Sequence, residues 1–243
     1  MGSLLTNIIT FIAVIIVNIL SNAGKINGQT MADISNKLDV YITPAGFTFS
    51  IWSLIYLMVI IWVLRQIPKK RRYIPVYKEA TPYFVASNVL NIAWVFTWSY
   101  EYFLVSILVI IGLLLSMIGL YNSIKRINHT FWDIAPFSLY VGWVTVATIV
   151  NIAYYLVYID GGGFNLFQTT WTIFALLAAA AISLMFRYKQ LDWLYPLVTV
   201  WAFYGIGMKN LDGHAAVAYT AFGLAVIIFI ANIVMRRKKP DLI

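Results

Sequence analysis

The sequence predicts an all-α protein, a polytopic membrane helix bundle of about eight transmembrane helices. Of its 243 residues, 62% are hydrophobic and 11% charged, with a mean hydropathy of +0.83. The apolar residues fall in uncharged runs long enough to cross a bilayer, where unbroken helices satisfy their own backbone groups. The basic residues are also lopsided. If eight spans alternate, one side collects 14 of the 17 Lys+Arg in the loops near 65–80, 123–133 and 187–192 and in the C-terminal tail. Only Lys25, Lys37 and Lys209 fall opposite. Such an excess marks the cytoplasmic side, so both termini are expected there and the 21–46 loop outside.

The first apolar run, about Leu4 to Leu20, reads as an uncleaved helix. No basic n-region precedes it and no small-x-small site follows Asn22. A polar segment from Ser21 to Gly46 is too long for a simple connector and suits a lid or binding loop. The second helix opens at TPAGFTFSIWSLIYL, with Pro44 suited to a first turn. Phe49, Trp52 and Tyr56 share one of its faces at i, i+3, i+7.

A basic loop with Pro68 and Pro75 follows. The third helix is expected from about Thr81 to Ser99, with Asn88, Asn91, Trp94 or Val95, and Trp98 along one side. The fourth spans about Tyr102 to Asn122, where the Gly112–Ser116 pair allows close approach. The fifth runs from about Asp133 to Tyr158, and Asp160 with three glycines forms a turn. Three further runs follow at about Phe167 to Phe186, Trp193 to Met208 and His214 to Met235. Ala175, Ala179 and Ser183 make a small-residue seam on the sixth. Pro196, Gly205 and Gly207 mark the seventh as the helix expected to bend. Arg236-Arg237-Lys238-Lys239 closes the chain as a cytoplasmic stop.

The charges exclude several functions. No Asp, Glu, Lys, Arg or His falls near the middle of any expected span, which argues against ion-coupled pumping and buried acid–base catalysis. The chain has no cysteine. His129 and His214 sit near opposite membrane faces and cannot share a metal, so neither a metal site nor a cofactor is expected. The triple glycine lacks the lysine of a phosphate-cradling loop. The net charge of +8 reflects membrane topology rather than nucleic-acid binding.

Aromatic and amide chemistry remains, concentrated in Pro136 to Asn151, PFSLYVGWVTVATIVN. Tyr140, Trp143, Ala147 and Asn151 step by three or four residues and share a helix face. A lipid-facing surface would be a plain Leu/Ile/Val coat. This one carries two amphipathic rings, a small residue and an amide, which suits a wall facing protein or ligand. With Phe49, Trp52, Tyr56, Asn88, Asn91 and Trp94 it makes a candidate pocket for a flat, largely apolar ligand beneath the first loop. Asn88, Asn91 and Asn151 equally suit pairing across helices. Trp62, Trp132 and Trp193 near helix ends read as an interfacial belt.

Three segments resemble the translocator protein / tryptophan-rich sensory protein (TspO/MBR) family. Pro44-Ala45-Gly46-Phe47-Thr48-Phe49-Ser50-Ile51-Trp52-Ser53-Leu54-Ile55-Tyr56 resembles the family's proline–aromatic opening of its second helix. Leu90-Asn91-Ile92-Ala93-Trp94 resembles its "LN..W" element. Pro136 to Asn151 resembles the fifth-helix "PY..W..FA..LN" element. The resemblance covers about residues 1–158 and implies a five-helix core lidded by loop 21–46. Residues 159–243 would then be a three-helix C-terminal extension with a basic cytoplasmic tail. By motif, Trp52, Trp143, Ala147 and Asn151 would be pocket-wall positions, and Asn91 and Trp94 their third-helix counterparts. Family members bind porphyrins and, in some cases, sterols and drug-like ligands. The family's sterol-recognition pattern is missing after Tyr158, where no Lys or Arg follows.

The function expected is that of a receptor or sensor-like protein binding a planar hydrophobic molecule, with a porphyrin as one candidate. A facilitative transporter and a porphyrin-degrading enzyme are the alternatives, and no catalytic residue is assigned. The expected partners are the lipid bilayer, this ligand and a second copy of the chain, not nucleic acid. The expected location is a bacterial cell membrane.

Overall fold

The computed structural model describes residues 2–160 and 165–235. The triple glycine at 161–163 and the basic run at 236–239 lie outside the described residues. Among the described residues every regular element is helical. They are α1 (Gly2–Asn22), α2 (Met31–Ser35), α3 (Ile51–Leu64), α4 (Lys69–Arg72), α5 (Pro75–Ser99), α6 (Phe103–Lys125), α7 (Phe131–Asp160), α8 (Asn165–Gln190), α9 (Leu194–Asn210) and α10 (Ala215–Val234). A 3-10 turn, Gly46–Ser50, leads into α3.

Among the described residues, six segments are long and apolar enough to span a membrane: α1, Gly46–Leu64, α6, α7, Phe167–Gln190 and α10. The other two long helices each fall short for a visible reason. At 17 residues α9 is brief, and α5 carries Lys78, Glu79, Thr81, Asn88 and Asn91 along its length.

The chain divides into two compact units, Met1–Val40 with Phe49–Gly163, and Tyr41–Thr48 with Phe164–Ile243. In the first unit α1 packs on α5, α5 on α6, α6 on α7, α7 on α3, and α3 on α1, so five helices close a ring in that order. Side chains from non-adjacent members of such a ring meet only in its interior.

The ring's elements depart from the expected bounds in informative ways. The third long helix starts at Pro75, where a proline at the first helical position has no N–H to waste and follows the extended Ile74. The basic loop before it is not wholly irregular, because Lys69–Arg72 winds one turn after Pro68. The 21–46 segment likewise holds the short helix α2. Thr30 accepts from the Asp33 amide, and the Asp33 carboxylate accepts from the Thr30 amide, a complete capping box.

In the second unit α8, α9 and α10 pack pairwise with the segment Tyr41–Thr48. The Asp192 carboxylate starts α9 by accepting from the Leu194 amide at 2.9 Å. Arg187 near the end of α8 donates to the carbonyls of Asn232 and Met235 at the end of α10, where a cation complements exposed carbonyls. α9 runs unbroken from Leu194 to Asn210. Its glycines serve close approach: a Cβ at Gly207 would lie 2.5 Å from the Phe222 ring of α10.

Candidate ligand-binding site

The interior of the five-helix ring is layered. One end is closed by ionic and aromatic layers. Asp133, in the first turn of α7, is almost fully buried. Its carboxylate meets Arg71 at 3.3 Å and Arg65 at 3.5 Å, and accepts from the Tyr77 hydroxyl at 3.2 Å and the Thr130 hydroxyl at 2.7 Å. A carboxylate with two cations and two hydroxyls has its charge and lone pairs met, which a buried charge requires.

Next to this cluster lie Trp62, Tyr77, Phe84 and Phe137, from α3, α5 and α7. Trp62 sits 4.9 Å from Phe137, 5.0 Å from Phe84 and 5.5 Å from Tyr77, ring centre to ring centre. Trp62 is fully buried here, which corrects its expected place in an interfacial belt; Trp132 and Trp193 are exposed, as a belt requires. Helix-end position alone does not separate a belt tryptophan from one turned inward.

The middle of the ring is polar. The Asn91 amide donates to the Tyr140 hydroxyl at 2.9 Å, and its oxygen accepts from Asn18 at 2.9 Å. α5 and α7 are not neighbours in the ring, so the Asn91–Tyr140 bond crosses its interior. The other two candidate amides pair between neighbouring helices. Asn88 donates to Thr10 of α1, and the Asn151 oxygen accepts from Ser106 of α6, both at 2.9 Å. These two are tied up holding the wall, as the helix-pairing reading of the sequence expects.

Above this layer the aromatic candidates converge. Trp52 stacks on Tyr56 at 5.3 Å and meets Tyr140 and Trp143 edge-on at 5.6 and 6.3 Å. Phe49, partly exposed, sits edge-on to Trp143 at 5.8 Å. Trp143 is buried, whereas Trp52 and Ala147 are half-buried. Two polar atoms among these rings are buried without a hydrogen bond, the Tyr56 hydroxyl and the Trp94 indole N–H. Trp94 belongs to a second string of rings, stacked on Trp98, which in turn meets Phe103 and Tyr154.

The loop covers the far end. Ile34 of α2 is completely buried, and its carbonyl accepts from the Tyr154 hydroxyl at 2.7 Å. Asn27 donates to the Ser99 carbonyl, and Gln29 and Lys37 reach the Glu101 carboxylate. Glu101 holds a left-handed backbone (φ 61°), the strained corner that aims this carboxylate at the loop. The Thr30 backbone amide, and then its hydroxyl, hold the exposed Asp33 carboxyl below its ordinary range.

Phe11, Asn18, Ile34 and Tyr154 join the site without having been singled out from the sequence. Phe11 meets Tyr56 and Phe84 from α1. The Thr30…Asp33 spacing is the one sequence signal that marks the lid helix. No cluster of His, Cys, Asp or Glu suited to a metal occurs among the described residues.

No curated protein and no solved structure matches the chain. A family model does, that of the TSPO-like proteins, over residues 4–234. The match runs on through α8, α9 and the whole of α10 rather than stopping after the five-helix ring. With its apolar spans, the chain is an integral membrane protein, and by this match it belongs to the TSPO-like protein family.

Proposed function

We propose that the protein binds a planar, hydrophobic small molecule inside the five-helix ring and acts as a receptor or sensor, with a tetrapyrrole as the leading ligand class. The observation that carries this is the convergence of Trp52, Tyr56, Tyr140 and Trp143 between a closed aromatic layer and a lid. Rings stack on a flat ligand, and the unpartnered Tyr56 hydroxyl and Trp94 N–H offer it polar anchors. Half-buried Trp52 is the ring that yields to the ligand, while Phe49 and Ala147 flank the entrance. Asn88, Asn91 and Asn151 keep the wall in register. The lid faces the outside and both termini the cytoplasm, from the distribution of basic residues.

The test is quenching of tryptophan fluorescence by protoporphyrin IX in detergent. Trp52→Ala and Trp143→Ala should each weaken binding while the protein stays folded. Unchanged affinity in both variants removes the assigned site. Facilitated transport is the second reading. It would require the layer of Trp62, Tyr77, Phe84 and Phe137 to open, so uptake of the porphyrin into protein-loaded vesicles would favour it over simple binding.

A further inference from the structure

The segment Tyr41–Thr48 links the lid to the second span, yet it belongs to the compact unit built from α8, α9 and α10. Before its 3-10 turn it has no regular structure, but Tyr41, Ile42, Thr43 and Thr48 are all buried. A buried irregular segment needs partners for its backbone, and α9 supplies them. The Asn210 amide donates to the Tyr41 carbonyl at 2.8 Å, the Ala45 amide donates to the Gly205 carbonyl at 3.0 Å, and the Trp201 indole donates to the Thr48 carbonyl at 2.9 Å. Trp201 and Tyr204 also meet the Phe47 ring, and His214 stacks on Tyr41 at 3.6 Å. Three positions along one helix, residues 201, 205 and 210, thus grip the two ends and the middle of eight residues.

Gly205 explains itself only through this grip. A Cβ there would lie 2.0 Å from the Thr48 hydroxyl oxygen. Glycine inside a helix costs about 1 kcal/mol relative to alanine, and here it is the residue that lets the segment lie against α9.

We propose that α9 is a positioning element for the ligand site, with Trp201, Gly205 and Asn210 as positioning residues. They act through Tyr41–Thr48 on the two stretches covalently joined to it. The lid ends at Val40, and the wall bearing Phe49 and Trp52 begins directly after Thr48. Holding the segment sets how closed the lid rests and where the Trp52 face starts. The ligand consequence rests on the binding reading above, whereas the effect on the lid does not.

The chain has no cysteine, so Ile34→Cys places a single thiol at the buried foot of the lid. Its labelling by a water-soluble maleimide reports opening without any ligand. Adding Gly205→Ala should speed labelling about tenfold, a shift of roughly 1.4 kcal/mol in the closing equilibrium. Thr48→Ala, which removes the obstructing hydroxyl, should restore the slow rate in the double variant. Trp201→Phe, which keeps a ring but loses the N–H, should act like Gly205→Ala if that variant folds poorly. Gly207→Ala places its Cβ 2.5 Å from the Phe222 ring instead, a clash on the same helix that does not touch Tyr41–Thr48, and should leave labelling slow. Unchanged labelling in Gly205→Ala and Trp201→Phe overturns the proposal, as does equal acceleration by Gly207→Ala. In parallel, weaker protoporphyrin IX binding by Gly205→Ala, reversed by Thr48→Ala, is the expected ligand effect. If the parent chain binds no porphyrin while labelling behaves as stated, the binding reading fails and the positioning role stands.

Discussion

Asn91 and Tyr140 are joined by a 2.9 Å hydrogen bond that crosses the interior of the helix ring, and Asn18 completes the chain from α1. One amide therefore holds three helices in register at the level of the proposed ligand. Tyr140→Phe removes the acceptor and should cost about 0.6–2 kcal/mol. Asn91→Leu also leaves one N–H of the buried Asn18 amide without its acceptor, the other still donating to the Val14 carbonyl, and should cost more, about 1–3 kcal/mol. Unfolding of both variants in detergent, followed by circular dichroism, checks the order.

Asp133→Asn should be among the more damaging polar substitutions. It removes the charge that Arg65 and Arg71 face. Both guanidiniums are partly exposed, so solvent softens the loss to about 2 kcal/mol, below that of a fully buried pair. Chemical denaturation of the variant at low and high salt measures it. The difference from the parent should shrink as salt screens the parent's ion pairs.

Trp62→Ala and Trp52→Ala should separate stability from binding. Trp62 is fully enclosed by Tyr77, Phe84 and Phe137, so its truncation opens a void and should cost about 3–5 kcal/mol. Half-buried Trp52 should cost less stability and more affinity. Thermal unfolding beside a fluorescence titration shows whether the two effects divide in this way.

Gly207→Ala should destabilise the unit of α8, α9 and α10 by about 1–3 kcal/mol, because the added methyl must displace the Phe222 ring. Phe222→Leu in the same chain should recover part of the loss, which a thermal-shift comparison of the three variants would show.

Acid should loosen the lid. The Asp33 carboxyl is held below its ordinary range by the Thr30 amide, so the folded pKa is depressed relative to the unfolded chain. That contribution is fully present above the unfolded value, about 3.9, and fades as the pH falls through the folded one. Proteolysis of the 21–40 segment by an acid-stable protease should rise as pH drops through this window. Asp33→Asn should be cleaved faster than the parent above this window and should lose the pH dependence, the two converging at low pH.

Much of the architecture was legible because its causes are local. Apolar run length marks the membrane spans, and Pro68, Pro75 and the polar clusters mark their limits. The stepping of Tyr140, Trp143 and Asn151 shows that this face of α7 is not lipid-facing, since period and residue chemistry are readable within one helix. The short helix α2 was not read from the sequence: Thr30…Asp33 signals its start, but five residues are too few for periodicity to register.

The sequence by itself determined that this is an all-helical membrane protein with tryptophan-bearing, uncharged helix faces. Only the tertiary structure decided that α1, α5, α6, α7 and α3 close a ring in that order. Only it turned Trp62 inward, tied Asn88 and Asn151 to neighbouring helices, and gave Tyr41–Thr48 to α9. The reason is that lipid and protein interior are about equally apolar, so hydrophobicity cannot say which helix a face meets. That choice rests on pairwise fit: an amide opposite a hydroxyl, or a glycine where another backbone must pass. Such partners lie up to 169 positions apart along the chain, as Asn210 and Tyr41 do, and meet only when the helices assemble.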